Sequence, residues 1–153
     1  MKTILAPVDF SAASEAVLTQ AVELARALGG RVVLLTVIQP PVITSEYAGM
    51  MENLPEVMAA GERNAARRLA ELETRVRAAQ VPVESVQLNG PPVRTILDQA
   101  ARVSADYVVM GSHGHTALYD LLVGSTTHGV LLRAPCPVVI TPGPKAAKAA
   151  RVP

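Results

Sequence analysis

Short apolar, β-prone runs alternate with amphipathic stretches of helical period along nearly the whole chain, and few folds accept that alternation. Residues 2–8, 31–38, 83–88, 107–110 and 137–140 read as five strands, flanked by glycine, proline, asparagine or aspartate. The intervening stretches have helical spacing. Val17, Ala21, Leu24 and Leu28 share one face of a helix over residues 12–28, with Ser11 as its expected N-cap and Gly29-Gly30 as its stop. Leu69, Leu72 and Val76 mark a second helix over 56–80. Val93, Ile96, Leu97 and Ala100 mark a third, entered through Pro91-Pro92, and Val130-Leu131-Leu132 belongs to a fourth. Such an alternation requires a parallel sheet with right-handed crossovers and helices on both faces. The expectation is one α/β domain, an open five-stranded parallel sheet of order 3-2-1-4-5. The first and fourth strands then lie side by side, where ligands collect outside the carboxyl ends of such sheets.

The chain's 153 residues suffice for one core, and its 50% hydrophobic content with only 3% aromatics suits a sheet packed by small branched aliphatics. A net charge of +1 and scarce aromatics argue against nucleic acid as partner. No apolar run approaches membrane-spanning length and the N-terminus starts a strand, so no membrane insertion and a cytoplasmic location are expected. The single cysteine, Cys136, stands between two prolines at a strand start and is expected to be buried and structural. Glu71 to Arg75 and Glu73 to Arg77 are helix pairs four apart, and Arg63, Arg67 and Arg68 are read as a solvated face. The irregular stretch 40–55 is a long connector, and the tail 143–153, rich in Ala, Lys and Pro, is expected to be disordered.

The strongest functional lead is Met110-Gly111-Ser112-His113-Gly114, which follows the fourth strand, together with Gly124-Ser125-Thr126 further on. Gly111 and Gly114 leave main-chain N–H groups open to close approach by an anion. Gly124 and Ser125 are expected at a helix N-terminus, where unpaired donors and the helix dipole favour negative charge. An isolated Gly-x-x-Gly is more often just a loop that needs positive φ. Asp9 ends the first strand; a turn carboxylate is common there, but the carboxyl end of a first strand also favours a ligand contact.

Gly-x-x-Gly, nine residues, then Gly-Ser-Thr resembles the nucleotide-binding signature of the universal stress protein family, in its ATP-binding branch. Ile4-Leu5-Ala6-Pro7-Val8-Asp9-Phe10-Ser11, Val33-Leu34-Leu35-Thr36-Val37-Ile38 and Pro135-Cys136-Pro137-Val138-Val139-Ile140 carry the same resemblance, in family order and up to about residue 142. The resemblance implies a Rossmann-like domain, of the adenine nucleotide alpha hydrolase kind, over residues 1–142. It implies ATP as ligand, with Mg2+ arriving on the triphosphate and no protein metal site. Pro7, Val8, Asp9 and Ser11 would lie on the adenine and ribose side, Asp9 through its carboxylate or its main chain. Val37 would line the adenine pocket mainly through its backbone. Met110, Gly111, Ser112, His113 and Gly114, with Gly124, Ser125 and Thr126, would hold the phosphates. Family members often carry histidine where this chain has Thr36, so Thr36 is given no role. They commonly carry a cation at His115. Family members also dimerise by pairing the last strand, here residues 137–140, with its copy, so a homodimer is expected.

Other chemistries lack their residues. There is no Gly-x-x-x-x-Gly-Lys-Ser/Thr, no dinucleotide fingerprint after the first strand and no Gly-x-Ser-x-Gly elbow. His113, His115 and His128 lack companion ligands at zinc spacing. Asp120 reads as a loop carboxylate, and no residue is marked as a general base, so no catalytic residue is assigned. The expected function is a nucleotide-dependent stress-response module. The alternatives are a slow ATPase or phosphoryl-transfer enzyme on the same scaffold, and a nucleotide-free dimeric scaffold.

Overall fold

A computed structural model describes residues 1–41, 52–112 and 123–143. The elements run β1 (Thr3–Pro7), α1 (Ser14–Leu28), β2 (Arg31–Ile38), α2 (Leu54–Ala78), β3 (Val83–Asn89), α3 (Pro92–Arg102), β4 (Tyr107–Gly111), α4 (Ser125–Arg133) and β5 (Val138–Thr141). All pairings are parallel, in the order β3-β2-β1-β4-β5. The expected sheet order and alternation are therefore present. Stretch 42–51, within the expected connector, and tail residues 144–153 lie outside the described residues.

β1 is central because it is apolar on both faces. Ile4, Leu5 and Ala6 have no solvent exposure, and successive residues point to opposite sides. Ile4 and Ala6 join Val32, Leu34 and Val109 under α1 and α2, while Leu5 joins Val33, Leu35, Val108 and Met110 under α3 and α4. The stripes expected from spacing are the ones that pack: Val17, Ala21, Leu69 and Val76 on one side, Ile96 and Ala100 on the other. Leu28, expected on the inner face of α1, is exposed.

Four local expectations are corrected. Ser11 does not cap α1, which begins at Ser14 behind Ala13 with no side-chain cap. Instead the Asp9 carboxylate accepts from Ser11 N at 3.0 Å and Ser14 Oγ at 3.4 Å, so Asp9 closes a turn that delays the helix. Helix α2 starts at Leu54, with Pro55 in its first turn, where the missing N–H costs nothing. Arg75 turns from Glu71 to Glu15 on α1, with two bonds of 2.6 and 2.8 Å that join the helices; Glu73–Arg77 forms as expected. Cys136 is half-buried rather than buried, and burial raises its thiol pKa, keeping it protonated.

The amino-terminal edge of the sheet is tied tightly. Gly29 ends α1 in the left-handed region at φ 59°, and Gly30 N donates to Ala25 O at 2.7 Å. A Cβ on Gly30 would lie 2.6 Å from Lys2 O, whereas one on Gly29 would meet nothing. Gly30→Ala should therefore cost more than Gly29→Ala: about 2–3 kcal/mol of overpacking and backbone shift against about 1 kcal/mol of φ strain. Urea unfolding of both variants checks the order.

At the same edge the Asp106 carboxylate accepts from Lys2 Nζ and Thr3 N, each at 2.8 Å. The Lys2 hydrogen bond, then the Thr3 N–H, hold its pKa below the ordinary 3.8. A depressed carboxylate stabilises above its unfolded value and loses that contribution as pH falls through the folded one. Asp106→Asn should thus melt lower than the parent near neutrality, and the difference should shrink as pH drops below about 4. Thermal melts across that range test it.

Candidate functional site

At the carboxyl end of the sheet, where β1 separates β2 from β4, lies a cavity of about 560 Å3. Pro7, Val8 and Asp9 form its floor from β1 and the turn after it, and Val37 closes one side from β2. Met110 and Gly111 enter from β4, and Gly124, Ser125 and Thr126 from the start of α4. Two motifs more than a hundred residues apart in sequence therefore share one wall, because β1 and β4 pair directly, Ile4 opposite Tyr107 and Leu5 opposite Val108.

The half of the cavity next to β4 and α4 is built from the main chain. Ser112 N donates to Thr141 O at 3.0 Å, and Gly124 N donates to Ser112 O at 2.7 Å, so Gly124, just ahead of α4, is tied to the residue that follows β4. Thr127, 5% exposed, donates its hydroxyl to Gly111 O at 2.7 Å and fixes α4 onto β4. The first bond inside α4 is His128 N to Gly124 O at 2.8 Å. The N–H groups of Ser125, Thr126 and Thr127 precede it and have no intrahelical acceptor, so they form the positive end of the helix dipole against the cavity.

The opposite half is set by the β1–α1 turn. Val8 N donates to Leu35 O at 2.8 Å, carrying the β1–β2 ladder to the cavity edge. Phe10 follows at φ 61°, a conformation that costs a bulky residue roughly 1–2 kcal/mol. Arg68 of α2 holds it there: its guanidinium sits 4.7 Å from the ring centroid and donates to Phe10 O at 3.2 Å. Arg68 is thus a support for the cavity rim, not merely part of the solvated face expected from sequence.

Two expected contact residues stand off the wall. Ser11 does not line the cavity, and its hydroxyl is buried without a partner among the described residues. Ser112 is likewise behind the wall, with its backbone engaged in the loop closure. His113, Gly114, His115 and Asp120 lie outside the described residues. Phe10, Ser14, Ala65 and Thr127 line the cavity without having been singled out. Thr127 was legible as the third residue of a helix start beside two chosen ones; Ala65 carries no signal of its own, being one more alanine in α2. Chemically, the cavity offers main-chain donors at one end, a carboxylate turn at the other and apolar walls between, which suits an elongated ligand that is anionic at one end.

Comparison with known proteins places these features in a family. The family model described as universal stress protein family matches residues 1–142. Universal stress protein YxiE of Bacillus subtilis is 30% identical over an alignment covering 90% of this chain and 96% of that protein. The structure of universal stress protein UspA from Lactobacillus plantarum superposes with a TM-score of 0.79 at 28% identity, covering 92% of this chain and 97% of that one. A universal stress protein from Archaeoglobus fulgidus, solved in complex with dAMP, shares the fold with a TM-score of 0.65 at 24% identity, covering 92% of this chain and 97% of that one. Matched from its first residue through β5, the chain belongs to the universal stress protein family.

Proposed function

We propose that this chain is a nucleotide-binding stress-response module that holds ATP in the cavity at the carboxyl end of its sheet. The observation that carries the reading is the meeting of α4's open N–H groups with Gly111 on one side and Asp9 and Val37 on the other, in one cavity. A volume of about 560 Å3 falls in the range of small-molecule sites. The triphosphate lies against Gly111, Ser125 and Thr126, with Gly114 and His113 completing the loop and Ser112 supporting it from behind. The base and ribose lie towards Pro7, Val8, Asp9 and Val37. Ser11 acts through the turn that Asp9 closes. Magnesium supplies charge neutralisation on the phosphates and needs few protein ligands. The dAMP complex of the Archaeoglobus fulgidus protein supports an adenine nucleotide as a ligand that this architecture accommodates.

Purified protein should release ATP on denaturation or bind it in calorimetric titration with magnesium. Gly114→Val should weaken that binding more than about tenfold while leaving the melting temperature close to the parent's, because a side chain there obstructs main-chain approach. No binding by a folded parent protein overturns the reading.

The working form is a homodimer, and the family domain of residues 1–142 is its unit. Among the described residues β5 is an edge strand with half-buried Val138, Val139 and Ile140, and α4, the helix before it in the chain, exposes Leu131 and Leu132. An apolar edge with unpaired backbone groups favours pairing with a second copy. Light scattering at micromolar concentration should give about twice the 16.1 kDa chain mass; a monomer overturns this. No helix among the described residues is long and apolar enough to cross a membrane. The lone cysteine suits a reducing compartment, and we assign the protein to the cytoplasm.

A further inference from the structure

The cavity reaches past the sheet's edge on both faces, and one group on the α1/α2 side has no assigned purpose. Along β2 the side chains alternate, Val32 and Leu34 packing under α1 and α2, Val33, Leu35 and Val37 under α3. Thr36 therefore faces α1 and α2. It is a cavity-wall residue, only 4% exposed, and its hydroxyl makes no hydrogen bond among the described residues. The surrounding wall of Val8, Ala13, Val17 and Ala65 brings no polar side chain. Ser14, which opens α1 on the same wall, is directed to Asp9 at 3.4 Å. The hydroxyl is not among the fully enclosed side-chain atoms without a partner, so the little surface it keeps opens to the cavity.

Its neighbour across the ladder does not supply one. Thr36 pairs in register with Gln87 of β3, whose Nε2 donates to Glu62 O at 3.1 Å and whose Oε1 is itself buried without a partner among the described residues. Gln87 is not on the cavity wall, whereas Thr36 is. The free hydroxyl is accordingly the one a ligand reaches. In the order β3-β2-β1-β4-β5, β2 lies two strands from β4, which at strand spacing is about 10 Å from the Gly111 end. That span separates the phosphates of a nucleotide from its base.

Resting on the nucleotide reading above, we propose that Thr36 determines specificity at the base end of the cavity, its hydroxyl hydrogen-bonding the polar edge of the bound base among small apolar residues. A hydroxyl both donates and accepts, so it serves an amino group or a ring nitrogen.

The test compares parent, Thr36→Val and Thr36→Ser by calorimetric titration with ATP and with inorganic tripolyphosphate, alongside thermal melts. Thr36→Val keeps the volume and removes the hydroxyl; it should weaken ATP by about five- to tenfold. Thr36→Ser should stay within about twofold of the parent, and neither change should alter tripolyphosphate binding. An unchanged ATP affinity in Thr36→Val, with or without a lower melting temperature, overturns the assignment and leaves the hydroxyl an internal role beside Gln87. Equal losses for ATP and tripolyphosphate also overturn it. A parent protein that takes up no nucleotide overturns the nucleotide reading and this assignment together.

Discussion

The site depends on β1 being covered on both faces while pairing with β2 on one side and β4 on the other. Only a strand as apolar as Ile4-Leu5-Ala6 tolerates that position, and these three central residues have no solvent exposure. Its carboxyl end must then open between two neighbours whose next helices pack on opposite faces of the sheet, α2 after β2 on one and α4 after β4 on the other. The cavity lies at that switch between faces. Asp9 and Gly111 meet there because of strand order, although no contact between their segments is suggested by distance along the chain.

Given that opening, the character of the cavity follows from which backbone groups are already engaged. Gly124 N is taken by Ser112 O, and Thr127 Oγ1 by Gly111 O, so the start of α4 is anchored by groups that do not face a ligand. The N–H groups left over are those of the first helical turn, and their number and direction are set by the anchoring. Opposite them, Asp9 is engaged by its own turn through Ser11 N and Ser14 Oγ, so its carboxylate is oriented before any ligand arrives.

Much of this was legible. Period and punctuation gave the elements, and the glycine signature with Asp9 and Val37 gave two ends of one cavity. The errors are local and share a cause. Ser11 looked like a cap because a serine before an apolar helical pattern usually is one, but the aspartate two residues earlier draws Ser11 N and Ser14 Oγ into a turn, and the helix begins only at Ser14. Glu71 looked like the partner of Arg75 because spacing within one helix is visible in sequence, while Glu15 on a neighbouring helix is not. Arg68 looked solvated because nothing in its own stretch announces Phe10, 58 positions away, as its partner. Thr36 was passed over for departing from the family's usual histidine; its burial against alanines became visible only when α1 and α2 were set over β2.

The two ends of the sheet divide the work. At the amino-terminal edge polar groups are paired with one another: Lys2 with Asp106, Arg31 with Thr3 Oγ1 and Glu84, Gly30 N with Ala25 O. At the carboxyl edge the first-turn N–H groups of α4 and the hydroxyl of Thr36 face a cavity. Groups of this kind cost stability when left without partners in a dry interior, and the fold tolerates them because the opposite edge and the β1 core are so fully satisfied. Substitutions should consequently sort by edge rather than by residue type. A polar change near Lys2 or Asp106 acts on folding, and the same change near Gly111 or Thr36 acts on what the cavity holds.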